Sequence, residues 1–426
     1  MSSQSRDISE SRPLIAVLLI ASMLTIMLDT VLSPALPGLR ENFSNVENID
    51  FLARIILTFP SIFVAVCAPI YGVLVDRVGR TRILYIATII YGVGGGSGYV
   101  LESIPLLLAS RALLGIGAAG VFVAATTLLT DYFVGDDRDT VLGWQGAATV
   151  AGGIVFLTVG GYLASIDWQT PFLIYASVLV LVPFMIILID EPKRTDADAS
   201  DASESGATSA LDSIRELLAQ LPLGTLAVIY AIGVIVQIVF FTIPVDIPFY
   251  LESVTSVGET LTGLAIAAAT VTGALMASRY QQIKNRLGII GVVAIMFALM
   301  GVGFVVVSLG STYAVIVVGT AITGLGTGLQ QPNLTSWIGS AVPDDLRGRA
   351  LGGLTSSFFI GQFLSPVVSE PISSAVGLGT TFAIGGVVFL ALAIVSLGVQ
   401  FGYHPDVAGG QEEQAQATEE PSSGVD

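Results

Sequence analysis

The 426-residue chain is 53% hydrophobic and only 12% charged, about half the charged fraction of an ordinary soluble domain, and its mean hydropathy is +0.82. Its apolar residues run in uninterrupted blocks of membrane-spanning length, about 20 residues each, which excludes a soluble enzyme, a nucleic-acid binder, a secreted disulfide scaffold and a single-anchor receptor. The net charge of −16 is concentrated in Asp190–Glu216 and Asp406–Asp426, acidic stretches expected to be solvated and to argue further against nucleic acid as a partner.

The first predicted span is Pro13–Leu36. It lacks a clear small-residue cleavage site and reads as a retained helix, not a signal peptide. It holds Asp29, followed by Thr30-Val-Leu-Ser-Pro34-Ala35-Leu36-Pro37. A carboxylate in a span without a basic residue can bind and release protons; the alternative is simple hydration near the interface. The second span, Phe51–Val75, leads through Gly72-Val-Leu74-Val-Asp76-Arg77-Val-Gly79-Arg80-Thr-Arg82 into the third, Ile83–Leu101. Two glycines permit a tight turn there, and Asp76 can face the dipole of a neighbouring helix. The cluster Gly92, Gly94, Gly95, Gly96 and Gly98 reads as close helix packing. The fourth span, Ile104–Phe133, carries Arg111 among apolar residues, where a charge is costly, and closes on Asp131. Thr140–Ala164 and Pro171–Ile189 complete the first half.

A polar, acidic segment, Asp190–Gln220, separates the halves, with Leu211–Leu221 able to form a short amphipathic surface helix. Six more spans follow: Leu223–Pro244, Thr260–Arg279, Leu287–Leu309, Thr312–Trp337, Arg349–Ala375 and Thr380–Tyr403. Gln237 and the run Gln330-Gln331-Pro332-Asn333 put polar groups at membrane depth, either for helix–helix hydrogen bonds or for substrate contact. With the N-terminus inside, the inner loops and ends hold Arg6, Arg12, Arg77, Arg80, Arg82, Arg138, Lys193, Arg194, Arg215, Arg279, Lys284, Arg286, Arg347 and Arg349, and the outer loops only Arg40 and Arg54. The expected topology therefore has both termini cytoplasmic. An offset of 209 residues superposes Arg77 on Arg286, Gly79 on Gly288, Gly115 on Gly324, Gly117 on Gly326, Arg138 on Arg347 and Gly152 on Gly361. Parallel six-helix repeats place a substrate site near the midplane. The expected division is a bundle over 1–189, a cytoplasmic linker over 190–221, a second bundle over 222–404 and a disordered acidic tail over 405–426. Cys67 is the only cysteine and His404 the only histidine, so no disulfide, metal cluster or cofactor is expected.

The Gly72–Arg82 loop resembles the G-x-L-x-D-R-x-G-R signature of the major facilitator superfamily, and with twelve spans in two repeats the resemblance extends over essentially the whole chain. It implies an all-α integral membrane fold, twelve transmembrane helices in two six-helix pseudo-repeat bundles, in the cell membrane. It makes Gly72, Asp76, Arg77, Gly79 and Arg80 a gating loop whose Asp76 meets the start of the eleventh helix near Arg347–Leu351, and offers Arg77 or Arg80 as partner to Asp131. Leu107-x-x-x-Arg111-x-x-Leu-Gly115-x-Gly117-Ala118-Ala119 resembles the family's fourth-helix motif, which implicates Arg111 in proton movement. Asp29 with its Ala35-Leu36-Pro37 resembles the first-helix end of family drug exporters. The fifth helix departs from the antiporter pattern G-x-x-x-G-P-x-x-G-G, because Phe156-Leu157 stands where Gly-Pro is expected. The implied function is alternating-access, proton-coupled efflux of small organic solutes by a monomer in the bilayer, with Asp29, Arg111, Gln237, Gln330, Gln331 and Asn333 as coupling or substrate candidates. A symporter or uniporter for metabolite uptake is the alternative within transport. A membrane-embedded enzyme or sensor is the alternative outside it; Asp29, Arg111, Asp246 and Glu370 supply no nucleophile–base set, and no phosphate-binding G-x-x-x-x-G-K loop occurs.

Overall fold

The chain folds into successive helical rods, described in a computed structural model over residues 11–191 and 222–402. They are α1 (Arg12–Asn42), α2 (Ile49–Val78), α3 (Arg80–Ser97), α4 (Ile104–Tyr132), α5 (Gly135–Ala164), α6 (Phe172–Leu188), α7 (Leu223–Val254), α8 (Glu259–Ala277), α9 (Tyr280–Ser308), α10 (Tyr313–Ala341), α11 (Asp344–Val376) and α12 (Leu378–Gly402). Ten are long and apolar enough to cross a membrane; α6 is a shorter apolar rod, and α3 opens on Arg80 and Arg82. Together they make the twelve-helix, all-α membrane fold, with no strand among the described residues. Apart from Asp190 and Glu191, the expected linker, its amphipathic stretch and the tail lie outside the described residues.

Packing repeats with the sequence. In the first half α1 lies on α5, α2 and α3 on α4, and α3 on α6; in the second, α7 lies on α11, α8 and α9 on α10, and α9 on α12. The halves meet along α2–α11 and α5–α8. Each rod buries apolar side chains and shows others, such as Ile187, Ile394 and Phe401, on the outside, as a surface facing lipid requires.

Several boundaries differ from the hydropathy reading. Hydropathy marks only the apolar middle of a rod, so α5 and α11 begin earlier, at the polar residues Gly135 and Asp344. The seventh span does not end at Pro244: α7 continues through Pro244 and Pro248 to Val254. Pro248 has no N–H and leaves the Pro244 carbonyl without its helical donor. The Ser33 hydroxyl of α1 donates to that carbonyl at 2.5 Å, which is how a proline is tolerated at membrane depth. In α2, Pro69 frees the Ala65 carbonyl in the same way, and Ser356 of α11 donates to it. Both repairs come from the other half. α1 is itself interrupted by a tight turn at Ser33–Ala35, and α10 breaks near Gly328.

The α2–α3 turn is made by one glycine, not two. Gly72 lies inside α2, whereas Gly79 takes φ 111. Its counterpart at the 209-residue offset, Gly288, takes φ 67, so the repeat extends to backbone handedness. Beside Gly79, Glu191 caps α3 by accepting the Arg80 and Thr81 amides at 2.7 and 2.9 Å. A Cβ on Gly79 would stand 3.0 Å from that carboxylate, while one on Gly288 meets nothing within 4 Å. Each Gly→Ala change should cost about 1–3 kcal/mol of backbone strain, and Gly79→Ala should cost more because it also disturbs the cap. Thermal unfolding in detergent checks this; a larger loss for Gly288→Ala would contradict it.

Candidate functional site: a central cavity shut at one end

Arg77, Arg80, Arg82, Arg138, Arg279, Lys284, Arg286, Arg347 and Arg349 lie at or near the end where α1 begins and α2 finishes, here the basic face. Between this and the opposite face, helices of both halves enclose a cavity of about 210 Å³. Asp29 and Thr25 of α1, Thr149 of α5, Gln237, Phe240 and Phe241 of α7, Thr270 of α8, and Phe359 and Gln362 of α11 line it. Among the described residues Asp29 is its one charged lining residue. It is 5% exposed, and its Oδ1 has no hydrogen-bond partner among the described residues. Gln362 accepts from the Ser61 hydroxyl of α2 at 3.0 Å, a bond between the halves.

Of the residues singled out from sequence, the cavity brings together only Asp29 and Gln237. Arg111 is 1% exposed and stands behind α1, within the first half. Its guanidinium lies over Phe172 and Tyr175, 4.7 and 5.0 Å from the ring centroids, and donates to the Gly95 carbonyl at 3.0 Å. Arg111 and Asp29 form no ion pair among the described residues. Their connection runs through two tyrosines: Tyr175 donates to the Leu28 carbonyl at 3.0 Å and Tyr91 to the Leu24 carbonyl at 2.7 Å. Arg111 therefore holds the aromatic wall that grips α1 beside Asp29. Asn333 is also internal, accepting from Tyr280 at 3.3 Å and donating to the Ile289 carbonyl at 3.2 Å. Gln330 is buried outside the cavity lining, and Gln331 is exposed.

Around the gating loop, Asp131 takes Arg80, the second of its two expected partners, at 2.6 Å. Arg77 is exposed. Asp76 is exposed, 3.9 Å from Arg80, and faces a cleft of about 790 Å³ lined by Gly72 of α2 and by Gly348, Arg349 and Gly352 of α11. The halves stand apart at the basic face: a Cβ on Gly72, Gly143, Gly146, Gly348 or Gly352 meets nothing within 4 Å.

The opposite face is shut. Ser33 meets the Pro244 carbonyl, Arg54 pairs with Asp246 at 2.6 Å, and Arg40 pairs with Glu252 at 2.9 Å, each contact joining the two halves. Between α5 and α8 the backbones touch: a Cβ on Gly161 would stand 2.6 Å from the Glu259 carbonyl, and one on Gly263 would overlap the Leu157 carbonyl. Arg54 corrects the sequence reading, which puts it in an outer loop: it lies within α2 and, with Asp246, is buried, the two being 4% and 0% exposed. Asp246 lies just beyond Pro244, in the part of α7 that continues past the predicted span, and Arg54 lies inside α2, where its apolar neighbours are the signal of burial.

The profile of the Major Facilitator Superfamily matches residues 18–309 and 247–422. The chain belongs to the major facilitator superfamily. It is 25% identical over 361 residues to the bacillibactin exporter of Bacillus subtilis (strain 168), covering 81% of this chain and 86% of that protein. It is 25% identical over 305 residues to multidrug resistance protein 1 of the same organism, covering 71% and 76%. Among solved structures, the nucleoside transporter NupG superposes with a TM-score of 0.72 at 14% identity, covering 92% of this chain and 100% of that one. The E. coli xylose transporter XylE in an inward-open conformation gives 0.70 at 14% identity, over 95% and 99%. These structures share the fold. The protein is thus a multi-pass membrane transporter of small molecules, not an enzyme, and its sequence is similar to those of efflux transporters.

Proposed function

We propose that this transporter exports small organic solutes across the cell membrane in exchange for protons, by alternating access, with Asp29 as the coupling carboxylate. The observation that carries the reading is the cavity itself: it is built from both halves, apolar and aromatic over most of its wall, with one carboxylate whose Oδ1 has no hydrogen-bond partner among the described residues. Export is favoured by the relatives' names, an exporter and a multidrug resistance protein. By the positive-inside rule the basic face is cytoplasmic, which makes both termini cytoplasmic and makes the present conformation open toward the cytoplasm. The bundles are assigned to 1–189 and 222–404, joined by 190–221, with 405–426 as the tail. Asp76 is assigned a latch role in the other conformation, when the start of α11 closes on it and its charge meets that helix dipole. Arg111 is assigned the support of α1 around Asp29; an arginine does not readily release its own proton. The second reading, proton-coupled uptake of a metabolite, is favoured by Phe156-Leu157, since Leu157 lines the cavity where the antiporter pattern differs.

One experiment separates the two. Everted vesicles, basic face outward, are given an acidic lumen and a panel of fluorescent amphipathic dyes. An exchanger accumulates a dye inside the vesicles, and a protonophore collapses the accumulation. A symporter drives its solute outward with the protons. Absence of any gradient-dependent movement across the panel, with folded protein in the vesicles, would count against proton coupling.

A further inference from the structure

We propose that the buried Arg54–Asp246 pair is the lock of the opposite face, and that its release admits solvent from that side to the central cavity. The proposal rests on the alternating-access reading and extends it to the closed end. Arg54 belongs to the first half and Asp246 to the second, so the pair cannot survive separation of the halves there. Its place in the layering is specific. Pro244, two residues before Asp246, lines the central cavity, whereas Arg54 and Glu370 line a vestibule of about 600 Å³ on the far side. The pair is the layer between the two spaces.

Its chemistry suits a lock that must also open. Arg54 is aimed by three contacts: Nε to Asp246 at 2.6 Å, NH1 to the Asp50 carbonyl at 2.9 Å, and a stack over Phe249 at 4.6 Å. Arg54 is the one close partner of Asp246 among the described residues: its Oδ2 is buried with no hydrogen bond of good geometry there, with the Ser369 hydroxyl of α11 beside the carboxylate. A buried ion pair gives little net stability relative to apolar packing, because desolvation offsets the attraction, but removing one partner strands a charge and is costly. The closed state is therefore held by a pair that loses little when both groups reach water together. The second inter-half pair, Arg40–Glu252, is 34% and 46% exposed at its side chains, and such rim pairs contribute little. Ser33 on the Pro244 carbonyl adds a neutral contact that cannot strand a charge.

The test uses the full chain with its single cysteine changed, Cys67→Ala, and Thr30→Cys in the cavity wall as reporter. A membrane-impermeant thiol reagent is applied from the opposite face. Labelling should be slow in the parent. Asp246→Asn strands Arg54, and labelling should rise by about tenfold or more. The apolar pair Arg54→Leu/Asp246→Leu should label more slowly than Asp246→Asn, since no charge is left alone, and the swap Arg54→Asp/Asp246→Arg should return toward the parent rate. Arg54→Lys keeps the charge but loses the fork, should label at an intermediate rate, and serves if Asp246→Asn misfolds. Unchanged labelling in Asp246→Asn or Arg54→Lys, or a swap that labels as fast as Asp246→Asn, overturns the lock. A second reporter, Val73→Cys, which lines the cleft at the basic face and adds no bulk there, is labelled from that face and separates this from the underlying reading: its labelling should fall as Thr30→Cys labelling rises. A rise at Thr30→Cys with no fall at Val73→Cys upholds the lock and rejects alternating access.

Discussion

Asp29→Asn should abolish solute accumulation driven by a pH gradient while leaving downhill solute flux largely in place. Among the described residues Asp29 is the one charged side chain in the cavity wall, and an ionised carboxylate there has no countercharge beside it among them. A buried charge without compensation is expensive, so a proton or a cationic group on the solute must compensate it. Alternation between these two occupants is what couples their movements in opposite directions. Asparagine keeps the shape and hydrogen-bonding reach but carries neither the proton nor the charge. For one-for-one exchange, each pH unit of gradient supplies 1.36 kcal/mol and sustains about tenfold accumulation; in the variant the accumulation ratio should fall to about one. Counterflow of labelled solute without a gradient should persist, because Gln237, Gln362 and the aromatic wall remain. An undiminished response to the gradient would move the coupling role to Asp246 or Glu370, or remove it.

Much of this architecture was legible in the sequence because the membrane imposes strong local rules. Apolar blocks must become helices, since no other open backbone is satisfied in lipid, and the 209-residue offset carried the repeat as far as the glycine handedness at Gly79 and Gly288. The motif offers Arg77 or Arg80 as partner to Asp131, and the structure pairs it with Arg80. What was not legible depends on which helices touch. Arg54 and Asp246 are 192 positions apart, and Ser61 and Gln362 are 301 apart; neither pairing leaves a local pattern. Gln330, Gln331 and Asn333 read like Gln237 on hydropathy alone, because polarity at membrane depth does not tell which face of a helix meets the cavity. Arg111 shows the same limit: its apolar neighbours in sequence do not tell that two tyrosines stand between it and α1.

The α5–α8 and α2–α11 seams lead to a pair of opposed variants. At the closed face, Gly263 and Gly161 let α8 and α5 approach backbone to backbone, which only residues without a Cβ permit. Gly263→Val would force its side chain into the Leu157 carbonyl, so that end could shut only by moving α8 away from α5. Overpacking of this kind costs about 1–3 kcal/mol, enough to shift the populations of the two states by about 5- to 150-fold toward the one open at the opposite face. At the basic face the logic reverses. A side chain at Gly352 enters the open cleft and meets nothing in the present conformation, but has to be accommodated when α2 and α11 close. Gly352→Val should therefore leave stability unchanged, hold the molecule in the conformation described here, and lower Thr30→Cys labelling from the opposite face. Gly263→Val should raise that labelling. Both should slow transport by about tenfold or more, for opposite reasons. Wild-type transport in Gly263→Val would mean that the α5–α8 seam does not have to close during the cycle, while identical labelling in the two variants would mean that the two seams do not alternate.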